Sequence, residues 1–337
     1  MINTKAVILE KVNGPLVYEE IQTTELKKGQ VLVRVLASGL CGAQLLEIAG
    51  LKNNAAYMPH LLGHEGCGIV EEVGPGVDKV IPGQKVVMHW MVGSGADAAH
   101  PYYLYKGNAI SGGKVTTLSE LSVVSENRLT VVPYDTPEDI CALLGCGMTT
   151  ALGAVNNNAK VKIGESALVL GCGGLGLNLI QGLSLVGAFP ITAVDIINKG
   201  FLAAAAGVDK FLNLSEVVFD DFNYKYDVIF DTTGNSTLIS KAINKLSNNG
   251  RLIMVGQPKT DLVFNPLLLF RGKGQSIMAT QGGDTNPDVD IPRYASMAIA
   301  GKLNSSKIVT HKFCMGDINT AVETLKTAIC GRIILKP

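Results

Sequence analysis

Ser166-Ala167-Leu168-Val169-Leu170-Gly171-Cys172-Gly173-Gly174-Leu175-Gly176 decides the fold of this 337-residue chain. Four apolar residues run without polar alternation into a glycine cluster, and a helix-compatible stretch covers residues 175–186. Such an unalternating run reads as a strand buried on both faces. In a strand–turn–helix context, Gly171 makes the turn, Gly173 lets the backbone approach a pyrophosphate, and Gly176 lets helix and strand pack closely. Gly174 and Leu175 open the helix, whose free N–H groups and positive dipole end would face the phosphates. Asp195 stands 19 residues after Gly176 and ends the next apolar run, Ile191–Asp195. A carboxylate there bonds ribose hydroxyls and repels a 2′-phosphate, so NAD is expected over NADP.

Outward from this motif the rhythm repeats. Tyr226–Asp231, residues 251–255 and Ser276–Ala279 are further apolar strands with helical stretches between them. Alternating β and α segments of this kind predict a doubly wound parallel sheet, an α/β unit. Before residue 150 the texture differs: residues 31–36, 68–73, 85–88 and 121–124 are short β-rich stretches parted by Gly74-Pro75-Gly76 and Pro82-Gly83. That pattern suits a compact β-rich unit. From about Asp290 come a helix, a short strand at residues 307–309, a helix at 317–328 and a strand at 332–335. On pattern alone this tail finishes either unit.

Composition removes several function classes. Lys plus Arg and Asp plus Glu both total 29, so there is no net charge to draw the chain to nucleic acid or an anionic membrane. With 47% hydrophobic and 17% charged residues, disorder is excluded as the main state. Mean hydropathy is +0.27, but the most apolar region, residues 167–194, is broken by glycines, Asn178, Gln181 and Pro190. It makes a poor spanning helix. Seven cysteines without dense spacing are no disulfide framework, and the first residues lack signal-peptide character, so a cytoplasmic protein with reduced thiols is expected.

The β-rich part holds a second constellation. Cys41 follows a strand and precedes a helix-compatible stretch, a setting that lowers a thiol pKa. His64 lies in Gly63-His64-Glu65-Gly66 and Cys146 in Gly145-Cys146-Gly147. Cys, His and Cys are the donor inventory of a catalytic zinc site with one open position. Taken singly, each is more often a structural residue, and spacings of 23 and 82 residues do not bring them together.

The run Gly63-His64-Glu65-Gly66-Cys67-Gly68-Ile69-Val70-Glu71-Glu72-Val73-Gly74, with Cys41 upstream and Cys146 downstream, resembles the zinc-dependent medium-chain alcohol dehydrogenases. The resemblance covers nearly the whole chain. It implies a GroES-like catalytic domain from residues 1–150 and 289–337, with a Rossmann NAD-binding domain at 151–288 inserted and the active site in the cleft. It also implies Cys41, His64 and Cys146 as ligands of one catalytic zinc, with Glu65 as a carboxylate able to approach or join the metal. Thr150 would pack near the nicotinamide and Arg332 would pair with the cofactor pyrophosphate, a surface arginine being the alternative. Trp90, the sole tryptophan, would line the substrate pocket or simply pack in the core.

Departures from the family pattern carry their own expectations. Residues 89–113 contain no cysteine, so a structural zinc is not expected. The segment instead offers His100, Tyr102, Tyr103, Tyr105 and Lys106, polar enough to shape a pocket or an oligomer contact. Ala43 replaces a Ser or Thr that relays the substrate proton, leaving water, a ribose hydroxyl, His60 or Glu47 as routes. Gln44 replaces an Asp and removes a charge that would support Arg332. The implied reaction is hydride transfer between NAD(H) and a small alcohol or carbonyl compound, polyol-like or sugar-derived, by a homodimer. The rival readings are a nucleotide-binding scaffold or redox sensor without turnover, and a zinc-free quinone or enone reductase.

Overall fold

The computed structural model describes residues 1–52, 55–271 and 274–337. The chain divides into two compact units, Met1–Gly147 with Asn286–Pro337, and Met148–Thr285.

In the Met148–Thr285 unit the apolar runs form one six-stranded sheet. Its spatial order is Lys210–Asn213, Ile191–Asp195, Ala167–Leu170, Tyr226–Asp231, Leu246–Met254, Ser276–Ala279, and every pairing is parallel. The sequence order reverses beside Ala167–Leu170, the switch point at which such sheets bind ligands beyond the strand ends. Val169, Leu170, Val228, Ile229 and Phe230 are fully buried, as runs without polar alternation demand. Each such side chain contributes about 1.5–3 kcal/mol by leaving water. The helix Gly174–Val186 begins at an extended Gly173 and ends at Gly187 in the left-handed region. A Cβ on Gly176 would lie 1.9 Å from the Gly171 carbonyl oxygen, so only glycine permits this close helix–strand contact.

The other unit is β-rich. Asn3–Leu9, Leu16–Thr23, Tyr102–Tyr105, Asn108–Ser111 and His60–Leu61 close a small barrel. A second sheet runs Leu129–Val131, Lys85–His89, Glu65–Val73, Gln30–Leu40, Arg332–Lys336, Val309–Cys314, with Leu121–Ser125 also paired to Gln30–Leu40. The tail therefore completes this unit, with Arg332–Lys336 antiparallel to the end of Gln30–Leu40. The expected strand at residues 307–309 is displaced: Ser305–Lys307 is a 3-10 turn capped by Asn304, and the strand is Val309–Cys314.

The tyrosine-rich segment is divided between the interior and the surface: Tyr103 and Tyr105 are buried and Tyr102 is exposed. Tyr103 is wholly buried and its hydroxyl accepts from the Val123 N–H, while Tyr105 donates to Glu10 and Glu19. Pairing of Tyr102–Tyr105 with Leu16–Thr23 makes this segment part of the barrel wall. Carboxylates fasten the loops on both sides of the Lys85–His89 strand. Glu126 accepts from the N–H groups of Asp78, Lys79 and Ala96 at 2.6–2.7 Å. Asp288 accepts from the Ser94 N–H and pairs with Lys79. Among the described residues, no helix is long and apolar enough to cross a membrane.

Candidate active site

Three elements of the β-rich unit carry the thiol and imidazole donors. Cys41 caps the short helix Gly42–Ile48, directly after the Gln30–Leu40 strand. His64 stands at the entrance of the Glu65–Val73 strand. Cys146 follows the helix Glu138–Leu143 after a turn at Gly145, where a Cβ would fall 2.3 Å from the Met88 carbonyl oxygen. Without a side chain there, the turn lies tight on the strands and carries Cys146 inward. The result is one cluster: Sγ of Cys41, a ring nitrogen of His64 and Sγ of Cys146 lie within 4.8 Å of one another.

Electrostatics favour thiolate in this cluster. Hydrogen bonding from the Cys146 thiol, and then from His64, holds Cys41 well below the ordinary cysteine range despite burial. The same contact pushes the Cys146 thiol well above it. Burial alone would lower His64, yet Cys41 and Glu65 raise it. Two sulfurs and an imidazole, one sulfur already poised as thiolate, fit the chemistry of zinc.

Glu65 is not in this donor cluster. Its carboxylate is fully buried, where Oε2 accepts from the Gly147 N–H at 3.0 Å and Oε1 pairs with Arg332. Burial raises the Glu65 pKa, and Arg332 opposes that rise. Arg332 is only 4% exposed, which removes the surface-arginine alternative. Its partner among the described residues is Glu65, and Arg332–Lys336 is paired in the sheet beside the Gln30–Leu40 strand. Burial opposes its charge, but Glu65, Cys41 and Cys146 raise its pKa above the ordinary arginine value.

Gln44 has a larger part than its sequence position suggested. Its Oε1 accepts the Cys41 N–H at 3.0 Å, and its amide nitrogen meets His64 Nδ1 at 2.6 Å. It supports His64, not Arg332. The readable signal was the capping box, a Gln three residues after the helix cap. Ala43 presents only a methyl group beside it.

Trp90 is half-buried directly after the Lys85–His89 strand, and its carbonyl accepts from Arg128. Thr150 is buried on the helix Gly147–Gly153, in the other unit. In that unit Asp195 ends its strand next to the glycine turn. Its Oδ2 accepts from the Cys172 N–H at 2.7 Å and its Oδ1 from the Ile197 N–H at 2.9 Å. Thus Gly171, Gly173, Gly174, Leu175, Gly176 and Asp195 occupy adjoining ends of neighbouring parallel strands. Lys199, which the motif reading passed over, is buried at the start of the next helix, and its charge reaches Cys172.

Comparison with known proteins gives the family. Residues 27–134 match the alcohol dehydrogenase GroES-like domain, and residues 174–297 the zinc-binding dehydrogenase domain. Alcohol dehydrogenase 6 of Peromyscus maniculatus is 31% identical, over 100% of this chain and 98% of its own length. The S-(hydroxymethyl)glutathione dehydrogenase of Paracoccus denitrificans is 29% identical over 96% and 97%. Among solved structures, an alcohol dehydrogenase zinc-binding domain protein of Burkholderia ambifaria superposes with a TM-score of 0.92 at 26% identity, covering 99% of each chain. The 2R,3R-butanediol dehydrogenase of Bacillus subtilis gives 0.81 at 25% identity, again over 99% of each. The chain belongs to the zinc-dependent medium-chain alcohol dehydrogenases, oxidoreductases that work with zinc and a nicotinamide dinucleotide.

Proposed function

We propose that this chain interconverts a small alcohol and its carbonyl compound with NAD(H), at a single zinc held by Cys41, His64 and Cys146. The observation carrying this reading is the convergence of those three donors within 4.8 Å, although they lie far apart in sequence. When bound, zinc polarises the substrate oxygen as a Lewis acid and the nicotinamide carries the hydride. The remaining work falls to the chain. Arg332 places a positive charge beside the two sulfurs and favours their ionised form, while Glu65 balances that charge in the buried interior. Gln44 fixes the His64 ring. Ala43 neither donates nor accepts a proton, so the substrate proton leaves by water, a ribose hydroxyl, His60 or Glu47.

On the dinucleotide side, the N-terminal N–H groups of Gly174–Val186 suit a pyrophosphate, and Thr150 is assigned to the nicotinamide. Asp195 favours NAD over NADP by bonding ribose hydroxyls and repelling a 2′-phosphate. The edge strand Ser276–Ala279, with Met278 exposed on it and exposed Val263, Leu267 and Phe270 in the chain leading to it, supports a homodimer joined along that edge. Seven free cysteines suit a reducing cytoplasm.

The test is metal analysis of purified protein together with a screen of alcohols and carbonyls with NAD(H). Diols belong in the first panel, since the Bacillus subtilis relative is named for one. One zinc per chain and NAD-linked turnover are expected. Zinc-loaded, NAD-bound protein that transfers no hydride to or from any member would overturn the reading in favour of a scaffold.

A further inference from the structure

The side-chain amide of Gln44 lies between a backbone nitrogen and a ring nitrogen that make different demands on it. Its Oε1 accepts the Cys41 N–H at 3.0 Å, and its nitrogen meets His64 Nδ1 at 2.6 Å. Gln44 is 1% exposed, so the contact lies out of bulk water. An amide nitrogen only donates, so Nδ1 accepts here and the neutral ring carries its proton on Nε2. That nitrogen is the one left for Cys41, with which His64 is hydrogen-bonded. The metal-free cluster is thus satisfied: the Cys41 N–H, the Gln44 amide and the His64 Nε2–H each have an acceptor.

A His64 that gives its Nε2 lone pair to zinc is in the opposite state. Its proton stands on Nδ1, where metal-bound imidazoles normally meet a carboxylate, a carbonyl or water. Gln44 then faces two N–H donors, from Cys41 and from Nδ1, with a single oxygen. In the observed orientation its nitrogen opposes the Nδ1–H. Turned over, it accepts from Nδ1 but sets its nitrogen against the Cys41 N–H. Neither orientation serves both donors, and a donor left without an acceptor away from water weakens the state that contains it. A carboxylate in the same place would accept from both.

We propose that Gln44 makes the zinc of this chain exchangeable: its amide matches the metal-free cluster and lacks the second acceptor that the loaded cluster requires. Gln44 is a positioning residue, acting on His64 and not on the substrate. It still orients the ring, so it supports zinc better than a bare methyl group would and less well than a carboxylate. Zinc occupancy then follows supply instead of being fixed once the chain has folded. The inference rests on the reading of Cys41, His64 and Cys146 as the metal site.

Gln44→Glu supplies the second oxygen at the same side-chain length. Chelator competition with zinc alone should show binding at least about tenfold tighter in the variant than in wild type, with slower release. An added negative charge would also attract a cation, so the position of the His64 proton is the second readout. In nitrogen-15 spectra of metal-free protein, with His64 assigned by the loss of its signals in His64→Asn, wild type should carry that proton on Nε2 and Gln44→Glu on Nδ1. Equal zinc affinity in the two proteins overturns the proposal. So does tighter binding with the proton on the same nitrogen in both, which would be an effect of charge alone. Zinc that leaves the His64 signals of wild type unmoved defeats the reading of His64 as a ligand, a failure distinct from the other two.

Discussion

The side-chain amide of Gln44 spans from the Cys41 N–H, at 3.0 Å, to the His64 imidazole, at 2.6 Å, and so ties two candidate zinc ligands to one helix start. A ring nitrogen turned away from a metal normally has a hydrogen-bond partner that orients the ring; here the Gln44 amide nitrogen orients the His64 ring without supplying an acceptor for its N–H. Gln44→Ala should weaken zinc binding by about 10–100-fold. Loss of the reciprocal cap should also cost about 1 kcal/mol of stability. Chelator competition reads the first and denaturant unfolding the second. Unaltered zinc affinity would show that His64 is held by its strand alone.

Contact between the two sulfurs pushes the Cys146 thiol up and holds Cys41 down, whereas a zinc ion takes both sulfurs ionised. Cys146→Ser should therefore lower zinc content and turnover together, oxygen being a poorer match than thiolate at such a site. A serine variant with full metal and full rate would take Cys146 out of the ligand set.

Both oxygens of Asp195 already accept backbone N–H groups, from Cys172 and Ile197, which presets the carboxylate beside the glycine turn. Asp195→Ser should weaken NAD binding and narrow the gap between NAD and NADP. Binding titrations with both nucleotides check this. Wild-type protein that binds NADP(H) more tightly than NAD(H) would contradict the role given to Asp195.

His89 is buried with Nδ1 facing the Met91 carbonyl and Nε2 facing the Thr130 hydroxyl. Burial holds its pKa down to about 4, against 6.5 for an exposed imidazole. A folded pKa below the unfolded one means that the unfolded chain takes up the proton first. The stabilising contribution is thus complete above about pH 6.5 and is lost as pH falls toward 4. Between pH 7 and 5 this single group should remove about 2 kcal/mol. Denaturant midpoints measured across that window should drop less steeply in His89→Gln. Equal slopes would assign the acid sensitivity to other groups.

Local pattern carried the parallel sheet. Ala167–Leu170, Ile191–Asp195 and Tyr226–Asp231 are apolar throughout because both of their faces are covered, and the glycine turn admits few other readings. The donor cluster is a different matter. Cys41, His64 and Cys146 meet because three separate elements pack together, and no periodicity encodes that. Arg332 and Glu65 are still less legible, since a buried ion pair across 267 residues leaves no local trace. The burial of Tyr103 was not legible either, because alternation over the four-residue strand Tyr102–Tyr105 is too short to assign its faces.

That same separation has a consequence for biosynthesis. The ribosome makes Cys41, His64 and Cys146 long before Arg332, and the whole Met148–Thr285 unit intervenes. Until Arg332–Lys336 pairs with the Gln30–Leu40 strand, the sulfurs lack their nearby cation and Glu65 lacks its partner. Closing so long a loop is slow compared with forming local hairpins. During translation the emerging thiols therefore meet cellular metal in a different electrostatic setting from that of the finished fold, and arrival of Arg332 marks the moment at which the pocket acquires its final charge.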